Sequence, residues 1–555
     1  MRKVLTLCFV ILFAFVFVGC ETGSGQGGGE TGDPEIDYVT VNELKDSIDI
    51  LYLEKGTFDF SNEELINEIK RIKETYDSLK QEEKDLITNY SDFEEIVQEY
   101  DAYLKAEEEK NAEKKKVEDA VAEAAELAKN SIPKTSTGEK LELPTSYVSD
   151  EGINVYIGWQ SSDPLTISTN GVVTQPRTST GRVTLTAIVR SGSVQQTVKG
   201  QVAVGILPYE KLPAKPVFAY YYTNQRSLTE IERKTINVIN LSFAGLTSNG
   251  EVSLGNLNYS TVLQERKNGI RVCFSIQDVK GNPNFGEWTS TAEKRAKLVK
   301  SIVDFNEKYH FDGVDIDWEY PLGNQVSNYV EFMKLLYEKI KEKNKNYLVT
   351  SAMYGGNGVS KYDAGVSYKY MDYIHLMTYD LNALEVSTHL TALGTGPLSS
   401  TSVKSTIAFY IGAGIPKEKL VIGGAFYGKV YELSSSATSF LKQPLKDSVD
   451  GAYTKVYSAI KTDYLSKINS NDKNIKVVRE WDSAAQAPYL CVTKYDSNNN
   501  VVGKEFITYD DAESLKLKAQ YVFDEGLAGM MFWELGYEDR ETNELVSAIY
   551  NVFYK

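Results

Sequence analysis

Three carboxylates alternate with apolar residues along one short segment. Asp315, Asp317 and Glu319 are separated by Ile316 and Trp318. Because alternate residues of a β-strand share a face, the acids point one way and the apolar side chains the other. The apolar side chains need burial, so a solvated surface strand is excluded. Carboxylates stacked in this way are costly unless they share protons or meet a cation, which predicts a functional site.

Two chemistries use such a row of acids. One is a divalent metal site built from hard oxygen ligands. The other is general acid catalysis, in which neighbouring carboxylates raise the pKa of Glu319 and keep it protonated near neutral pH. Asp312, in the same segment, falls on the opposite face of the strand from these three acids. We therefore interpret it as a structural hydrogen-bonding residue at the start of the strand.

The acidic segment is the fourth of eight β-rich runs in the second half of the chain. Stretches with helical periodicity separate most of the runs, which predicts a (β/α)8 barrel over residues 208–555. Glu319 ends its strand, and barrel enzymes keep their active sites at the carboxyl ends of the strands. The longest gap, over residues 428–526, predicts an insertion. The predicted strands are Val217–Tyr222, Val238–Phe243, Arg271–Ile276, Gly313–Trp318, Leu348–Met353, Tyr373–Tyr379, Leu420–Phe426 and Leu527–Trp533.

The acidic row resembles the DxxDxDxE signature of glycoside hydrolase family 18, the chitinases and their relatives. Further motifs of that family occur in the same order along the chain. They are Tyr220–Asn224 with Tyr221 at the family's first-strand tyrosine, Met377–Asp380, Gly423–Gly428 and Met530–Glu534, together with Gln486–Tyr489 and Tyr509–Asp511. The resemblance implies a TIM barrel with a small α+β insertion after strand 7, over about residues 429–510.

The same resemblance implies a retaining, substrate-assisted reaction on β-1,4-linked N-acetylglucosamine, without a cofactor or metal. Glu319 would be the acid and then the base, on either side of an oxazolinium intermediate. Asp317 would orient the substrate's acetamide, Asp315 would share a proton with Asp317, and Tyr379 would donate to the acetamide oxygen. The implied sugar contacts are Trp533 as an apolar floor, with Asp380, Tyr221 and Tyr427.

The third strand departs from the family pattern. It usually ends in SxGG, whereas here it reads Ser275-Ile276-Gln277-Asp278, so Ser275 is kept and the glycines are not. The natural substrate therefore stays open among chitin, the chitobiose core of N-glycans and cell-wall amino sugars. A non-catalytic carbohydrate-binding lipoprotein is the rival from another class, and retention of Glu319 argues against it.

The first 36 residues are predicted to be a signal peptide followed by a flexible linker. A basic start precedes the apolar run Val4–Val18, which is shorter than a membrane-spanning helix and is typical of a signal peptide. The run ends in Gly19-Cys20, which resembles the lipobox of bacterial lipoproteins. Residues 1–20 are thus predicted to be a lipoprotein signal with lipidation at Cys20, exported and anchored to a membrane at the bacterial cell surface. The alternative is a plain secretory signal. Residues 21–36 form a predicted Gly-rich linker.

Two further regions precede the barrel. Residues 37–130 show helical periodicity and are predicted to be a helical spacer. Residues 131–207 show period-two alternation between turn signals, which predicts a β-sandwich. This region resembles bacterial immunoglobulin-like domains, which serve as spacers or adhesive modules. An adhesive role for residues 37–207 beside the enzyme activity is the alternative.

Composition narrows the possible partners. The chain of 555 residues has 77 acidic and 60 basic residues, a net charge of −17. This charge repels phosphate backbones and argues against a nucleic-acid partner. Three His and four Cys are too few for a multi-His metal cage or zinc-finger arrays. The 37 Tyr are compatible with carbohydrate binding, since the side chain combines an apolar face with a hydroxyl.

Overall fold

The computed structural model describes residues 36–279, 285–382, 385–396, 401–446 and 452–555. The predicted signal peptide, Cys20 and the linker up to residue 35 lie outside the described residues. Within the described part of the chain, no helix is both long enough and apolar enough to span a membrane. The chain divides into two compact units, Met1–Glu118 and Asp119–Lys555.

The first unit is helical, in line with the prediction of a helical region. Its helices, of which the fourth continues into the second unit, are α1 (Tyr38–Leu53), α2 (Glu63–Ser78), α3 (Gln81–Lys84) and α4 (Tyr90–Asn130). Apolar residues at helical spacing meet in one core, for example Leu44 and Ile48 with Ile69 and Ile72.

The predicted β-rich region forms one five-stranded sheet in the order β1-β5-β4-β3-β2. Its strands are β1 (Thr135–Ser136), β2 (Ser146–Val148), β3 (Asn154–Ser161), β4 (Gly181–Ser191) and β5 (Val194–Val204). Alternate residues of β4, such as Leu185 and Ala187, are buried on one face. Residues 120–128 of α4 and the connecting segments cover this face, so a helix stands where the second sheet of a sandwich was expected.

The barrel occupies the rest of the second unit. Its first seven strands pair in parallel with their neighbours, and β7 also carries a short hairpin strand, β8. These strands are β6 (Val217–Tyr221), β7 (Val238–Leu246), β8 (Val252–Ser253), β9 (Arg271–Val279), β10 (Gly313–Glu319), β11 (Leu348–Tyr354), β12 (Tyr373–Met377) and β13 (Leu420–Ala425).

An insertion follows β13 and is a separate five-stranded sheet in the order β15-β14-β18-β17-β16. Its strands are β14 (Tyr427–Glu432), β15 (Ala452–Val456), β16 (Ile475–Asp482), β17 (Ala487–Tyr495) and β18 (Val501–Tyr509). The chain then returns to the barrel as β19 (Gly529–Trp533), which pairs with β13 and β6, and β6 pairs with β7 to close the ring. The predicted eight-stranded barrel with an insertion after strand 7 is confirmed.

Helices surround the strands and supply the outer half of the core. The α-helices are α5 (Glu230–Thr235), α6 (Tyr259–Val262), α7 (Phe285–Trp288), α8 (Ala292–Lys308), α9 (Gln325–Lys343), α10 (Ala364–Ser367), α11 (Val403–Gly412), α12 (Tyr457–Asp463), α13 (Ala512–Asp524) and α14 (Glu544–Phe553). Short 3₁₀ helices are Leu263–Asn268, Val359–Lys361, Tyr368–Tyr370, Lys417–Lys419, Leu465–Lys467 and Leu535–Tyr537.

Strand β10 has the two faces that its alternation predicts. Val314, Ile316 and Trp318 lie in the core cluster that includes Phe305 of α8 and Phe332 of α9. The acidic residues therefore face the interior of the barrel. Gly313 begins the strand at a φ of +147°, and a Cβ there would lie 2.1 Å from the carbonyl oxygen of Leu348. Only glycine fits at this start of the strand.

Candidate active site

A cavity of about 210 Å³ opens at the carboxyl ends of the barrel strands. Two of the three inward-facing acids of β10 reach it, and the third lies beneath. Residues from most of the barrel strands and from the insertion form its wall: Tyr220, Gln277, Asp317, Glu319, Ala352, Met377, Tyr379, Asp380, Tyr427, Lys429, Thr454, Trp533 and Tyr537.

Asp315 is the deepest of the three acids and is fully buried. Its Oδ2 accepts from the Ser275 hydroxyl at 2.7 Å and the Tyr220 hydroxyl at 2.9 Å, and its Oδ1 accepts from Thr350 at 2.6 Å. Ser275 and Thr350 are its register partners on β9 and β11, which explains why they reach it. Burial alone would raise the pKa of Asp315, but the interaction with His375 and these hydroxyl donors hold it below its usual value.

Asp317 and Glu319 have the opposite environment. Asp317 is 3% exposed, and its pKa is raised well above the usual value by burial and by the charges of Glu319 and Asp315. Burial likewise raises the pKa of the half-buried Glu319. Among the described residues Asp317 Oδ1 has no hydrogen-bond partner. The pair therefore favours a bound proton, and one buried oxygen of Asp317 is left without a partner.

Tyr379 follows β12 and lines the cavity. Burial and the nearby carboxylates of Asp317 and Glu319 raise its pKa well above the usual value, so its hydroxyl keeps its hydrogen and can donate. A Cβ on Gly423 would lie 2.8 Å from the Tyr379 ring, so the glycine of β13 makes room for it. The Tyr427 ring meets that of Tyr379 edge-on, at 6.1 Å between centroids.

Trp533 ends β19 and presents an aromatic surface to the cavity. Its ring lies 5.6 Å from that of Phe243 and 5.9 Å from that of Tyr222, with interplanar angles of 19° and 27°. The Tyr220 ring lies 5.8 Å from it at an angle of 48°. Such a flat, partly exposed aromatic group suits the apolar face of a sugar ring.

The insertion contributes to the rim of the cavity. Lys429 of β14 places its Nζ 3.7 Å from the Oδ1 of the exposed Asp380, and Thr454 of β15 lies beside it. A cation and an anion thus share this rim, and both can bind hydroxyl and amide groups of a ligand.

The donors around the acids distinguish between the two predicted chemistries. Hydroxyl hydrogens already occupy the oxygens of Asp315, which a metal ion would need as ligands. Within the described part of the chain, no group of three or more His, Cys, Asp or Glu is arranged to hold a metal ion.

Comparison with known proteins places this site in a family. The sequence profile of glycosyl hydrolases family 18 matches residues 217–538, more than half of the chain. The chain belongs to glycosyl hydrolase family 18. A second profile, the atrophied bacterial Ig domain, matches residues 120–206 and includes the end of α4 that covers the sheet.

The family 18 relatives include enzymes and solved structures. Chitinase A1 of Niallia circulans is 31% identical over 336 residues, which cover 54% of this chain and 45% of that protein. Chitinase B of Serratia marcescens is 26% identical over 399 residues, covering 59% and 78%. The chain spans 45% and 54% of the length of the first two curated relatives. A family 18 N-acetylglucosaminidase structure from Paenibacillus barengoltzii matches with 27% identity and a TM-score of 0.54, covering 61% of this chain and 99% of that one.

Tyr221, expected as a sugar contact, lies on the other side of strand β6. It is buried among outward-facing core residues, and its hydroxyl donates to the carbonyl oxygen of Asn224 at 2.8 Å and accepts from Arg540 Nη1 at 2.9 Å. Tyr220 faces the cavity instead. The correction follows from alternation: Phe218 and Tyr220 point inward, so Tyr221 points outward.

Three residues at or beneath the cavity were not among the predicted site residues. Tyr220 stands next to the residue that was chosen, His375 lies 3.5 Å from Asp315 Oδ1, and Lys429 comes from the insertion. The phase of the buried residues in β6 could have found Tyr220. His375 occupies the middle of the predicted sixth strand, and its phase relative to Tyr379 could have placed it inside the barrel. No comparable signal marks Lys429.

Asp312 lies at the opposite end of β10, where it was expected to be structural. Its Oδ1 accepts from Arg177 Nε at 2.7 Å, and its Oδ2 lies 3.3 Å from Arg266 Nε and accepts from the backbone N–H of Val272 at 2.9 Å. Burial raises the pKa of Asp312, but the charges of Arg266 and Arg177 outweigh it and hold the pKa below its usual value. Arg177 belongs to the Ig-like module, so this module completes an ion cluster at the foot of the barrel.

Proposed function

We propose that this chain is a retaining glycosidase that cleaves β-1,4-linked N-acetylglucosamine chains by substrate-assisted catalysis. One observation carries the proposal: Asp317 and Glu319 favour a bound proton at the cavity, above an Asp315 that is already saturated with donors. A protonated carboxyl is what the departing glycosidic oxygen requires. Membership of family 18 supports the same reaction class.

In the first step, Glu319 donates its proton to the glycosidic oxygen, and the bond from that oxygen to the anomeric carbon breaks. The acetamide oxygen of the same sugar forms a bond to the anomeric carbon, giving a cyclic oxazolinium ion. Intramolecular attack gains from the high effective concentration of a tethered group. The acetamide N–H donates a hydrogen bond to Asp317, and the Tyr379 hydroxyl donates one to the acetamide oxygen.

In the second step, water attacks the anomeric carbon from the side that the leaving group vacated. Glu319, now a carboxylate, takes a proton from that water, and the ring of the intermediate opens to restore the acetamide. Two inversions give net retention at the anomeric carbon. Trp533 supports the apolar face of the sugar throughout, and Asp380 and Tyr427 contact its hydroxyl groups.

The preferred substrate is chitin or a chitooligosaccharide, because relatives of this chain are named chitinases. Endo-β-N-acetylglucosaminidase action on N-glycans or cell-wall amino sugars is the alternative, since the Gln277-Asp278 end of β9 departs from the family pattern. Incubation with chitin oligomers, glycoproteins and peptidoglycan, with products identified by mass spectrometry, tests these substrates. Proton NMR of the first product tests retention. Absence of cleavage of every acetamido sugar would refute the proposal.

We further propose that the protein is exported and lipid-anchored at the bacterial cell surface through Cys20. The support is the apolar run that ends in Gly19-Cys20 and the Gly-rich segment after it. Metabolic labelling with an alkyne fatty acid tests this proposal. The parent protein is expected to incorporate the label, and Cys20→Ala is expected to lose it; equal labelling of the two would contradict the anchor.

A further inference from the structure

The end of strand β9 carries a side chain where family 18 usually has glycine. Gln277 and Asp317 are register partners on neighbouring parallel strands, so their side chains lie at the same level of the barrel interior. The next residue, Asp278, has the opposite phase, and its Oδ2 accepts from the backbone N–H of Phe285 at 2.6 Å. Of the two replaced glycines, only Gln277 therefore faces the cavity.

Gln277 contacts both acids that bear on the chemistry. Its Nε2 lies 3.2 Å from Asp317 Oδ2 and 3.3 Å from Glu319 Oε1. An amide nitrogen carries two hydrogens, so one group can donate to both carboxyls at once. A glycine at this position would leave both oxygens without these donors.

These contacts matter because the two carboxyls have few other restraints. The Tyr320 hydroxyl also hydrogen-bonds the Glu319 carboxyl and lowers its pKa, while the charge of Asp380 raises it. Among the described residues neither Asp317 nor Glu319 forms an ion pair, and Asp317 Oδ1 has no hydrogen-bond partner. By contrast, three hydroxyl groups hold Asp315. The Gln277 amide binds Oδ2 of Asp317 and so fixes one oxygen of that carboxyl.

We infer that Gln277 is a positioning residue, whose amide nitrogen holds the carboxyls of Asp317 and Glu319 in one arrangement for the reaction. Its hydrogen bonds favour the ionised forms, so they oppose the effect of burial on the pKa of both acids. Gln277 thus fixes geometry and moderates proton affinity together. This inference rests on the proposed function of the same site.

Three substitutions separate these effects. Gln277→Met keeps the length of the side chain and removes both N–H donors, Gln277→Gly restores the family residue, and Gln277→Glu keeps the shape but replaces the donor with an acid. Gln520 is exposed on α13, so Gln520→Met is the matched control for the same chemical change.

The first measurement is the pH profile of kcat and KM on a chitooligosaccharide. For Gln277→Met and Gln277→Gly we expect kcat to fall about 10-fold, as for loss of a hydrogen bond to a charged group. The alkaline limb of kcat is expected to move to higher pH, because the Gln277 donor that favours ionised Glu319 is gone and only the Tyr320 hydroxyl remains. Gln277→Glu is expected to move it further. KM is expected to change less than kcat.

The second measurement is the crystal structure of Gln277→Met beside that of the parent, which does not depend on turnover. We expect the Glu319 or Asp317 carboxyl to rotate or to occupy two positions. If the parent enzyme is active and Gln277→Met keeps its kcat and pH profile, the inference is overturned. If the parent cleaves no acetamido sugar, the proposed function fails, and unchanged carboxyl positions in Gln277→Met would overturn the positioning role separately.

Discussion

At the amino end of strand β10, Asp312 is buried against Arg177 and Arg266. At its carboxyl end, the buried Asp317 and the half-buried Glu319 lie beside the Gln277 amide, and the Tyr320 hydroxyl bonds Glu319. Both ends remove carboxyl groups from water. The pKa of Asp312 nevertheless lies below its usual value, and those of Asp317 and Glu319 lie above theirs.

This difference teaches that the partner, not the burial, decides the role of an acid on this strand. Two guanidinium groups keep Asp312 ionised, so it can hold two modules together but cannot give up a proton. Without a cation, Asp317 and Glu319 favour the protonated form, which costs stability and supplies an acid for catalysis.

The largest expected effect concerns the carboxyl end. We expect Glu319→Gln to lower kcat about 100- to 10,000-fold, because it removes the general acid. The thermal midpoint at neutral pH should stay the same or rise, since the buried acid is replaced by a neutral isostere. Assays on chitooligosaccharides and thermal unfolding check both parts. Glu480→Gln, at an exposed position, is the control, and near-parental activity of Glu319→Gln would contradict the assignment.

The amino end should show the reverse pattern. Arg177→Met removes one partner of a buried charge, and we expect a loss of stability of about 3 kcal/mol, near the lower end for such pairs because Arg266 remains. Urea unfolding measures the loss, and kcat per folded molecule should be unchanged. Arg190→Met, at an exposed position on β4 of the same module, is the matched control. A fall in kcat without a fall in stability would break the comparison between the two ends.

The two ends should also differ in the sign of their pH dependence. The lowered pKa of Asp312 contributes stability above about pH 3.8, its unfolded value, which is lost as the pH falls through the folded pKa. The raised pKa of Asp317 has the opposite effect. It lowers the free energy of unfolding, and this loss grows as the pH rises from the pKa of the unfolded state towards that of the folded state. Each unit of pKa difference corresponds to about 1.4 kcal/mol.

Thermal midpoints across pH measure both signs. The thermal midpoint of Asp312→Asn should lie below that of the parent near neutral pH, and the difference should shrink as the pH falls below about 4. The thermal midpoint of Asp317→Asn should rise relative to that of the parent as the pH rises above about 4. Parallel curves for the two variants would show that partner charges do not set the two pKa values.

Much of the barrel follows from period-two alternation. It placed Asp315, Asp317 and Glu319 on one face and predicted the strands that surround them. It failed at Tyr220–Tyr222 because three identical residues show no alternation between apolar and polar types. Which of them faces the barrel interior was therefore not determined, and the choice of Tyr221 rested on resemblance alone. The buried pattern of the preceding residues would have given the phase.

Contacts between modules had no signal in the sequence. Arg177 and Asp312 are 135 residues apart, and their meeting depends on how the Ig-like module docks on the barrel. Lys429 likewise reaches the cavity only because the insertion folds back over the barrel mouth. Periodicity describes one element at a time, so it cannot report which side chains of two separate sheets converge.

The smallest expected effect tests whether the ion cluster dominates the docking of the Ig-like module. Thr166 of that module contacts His310 Nε2 of the barrel through its hydroxyl at 2.9 Å. Thr166→Val keeps the shape but removes this contact together with the hydrogen bond that the same hydroxyl donates to Asp163 Oδ2 at 2.6 Å. We expect a loss of about 1–2 kcal/mol in urea unfolding. Arg177→Met should cost clearly more, because a charge loses its partner rather than a neutral ring. Equal losses of stability in the two variants would mean that the interface depends on its neutral hydrogen bonds as much as on the ion pairs of Asp312. The contrast between the two ends of β10 would then account for the pKa values but not for the docking of the Ig-like module.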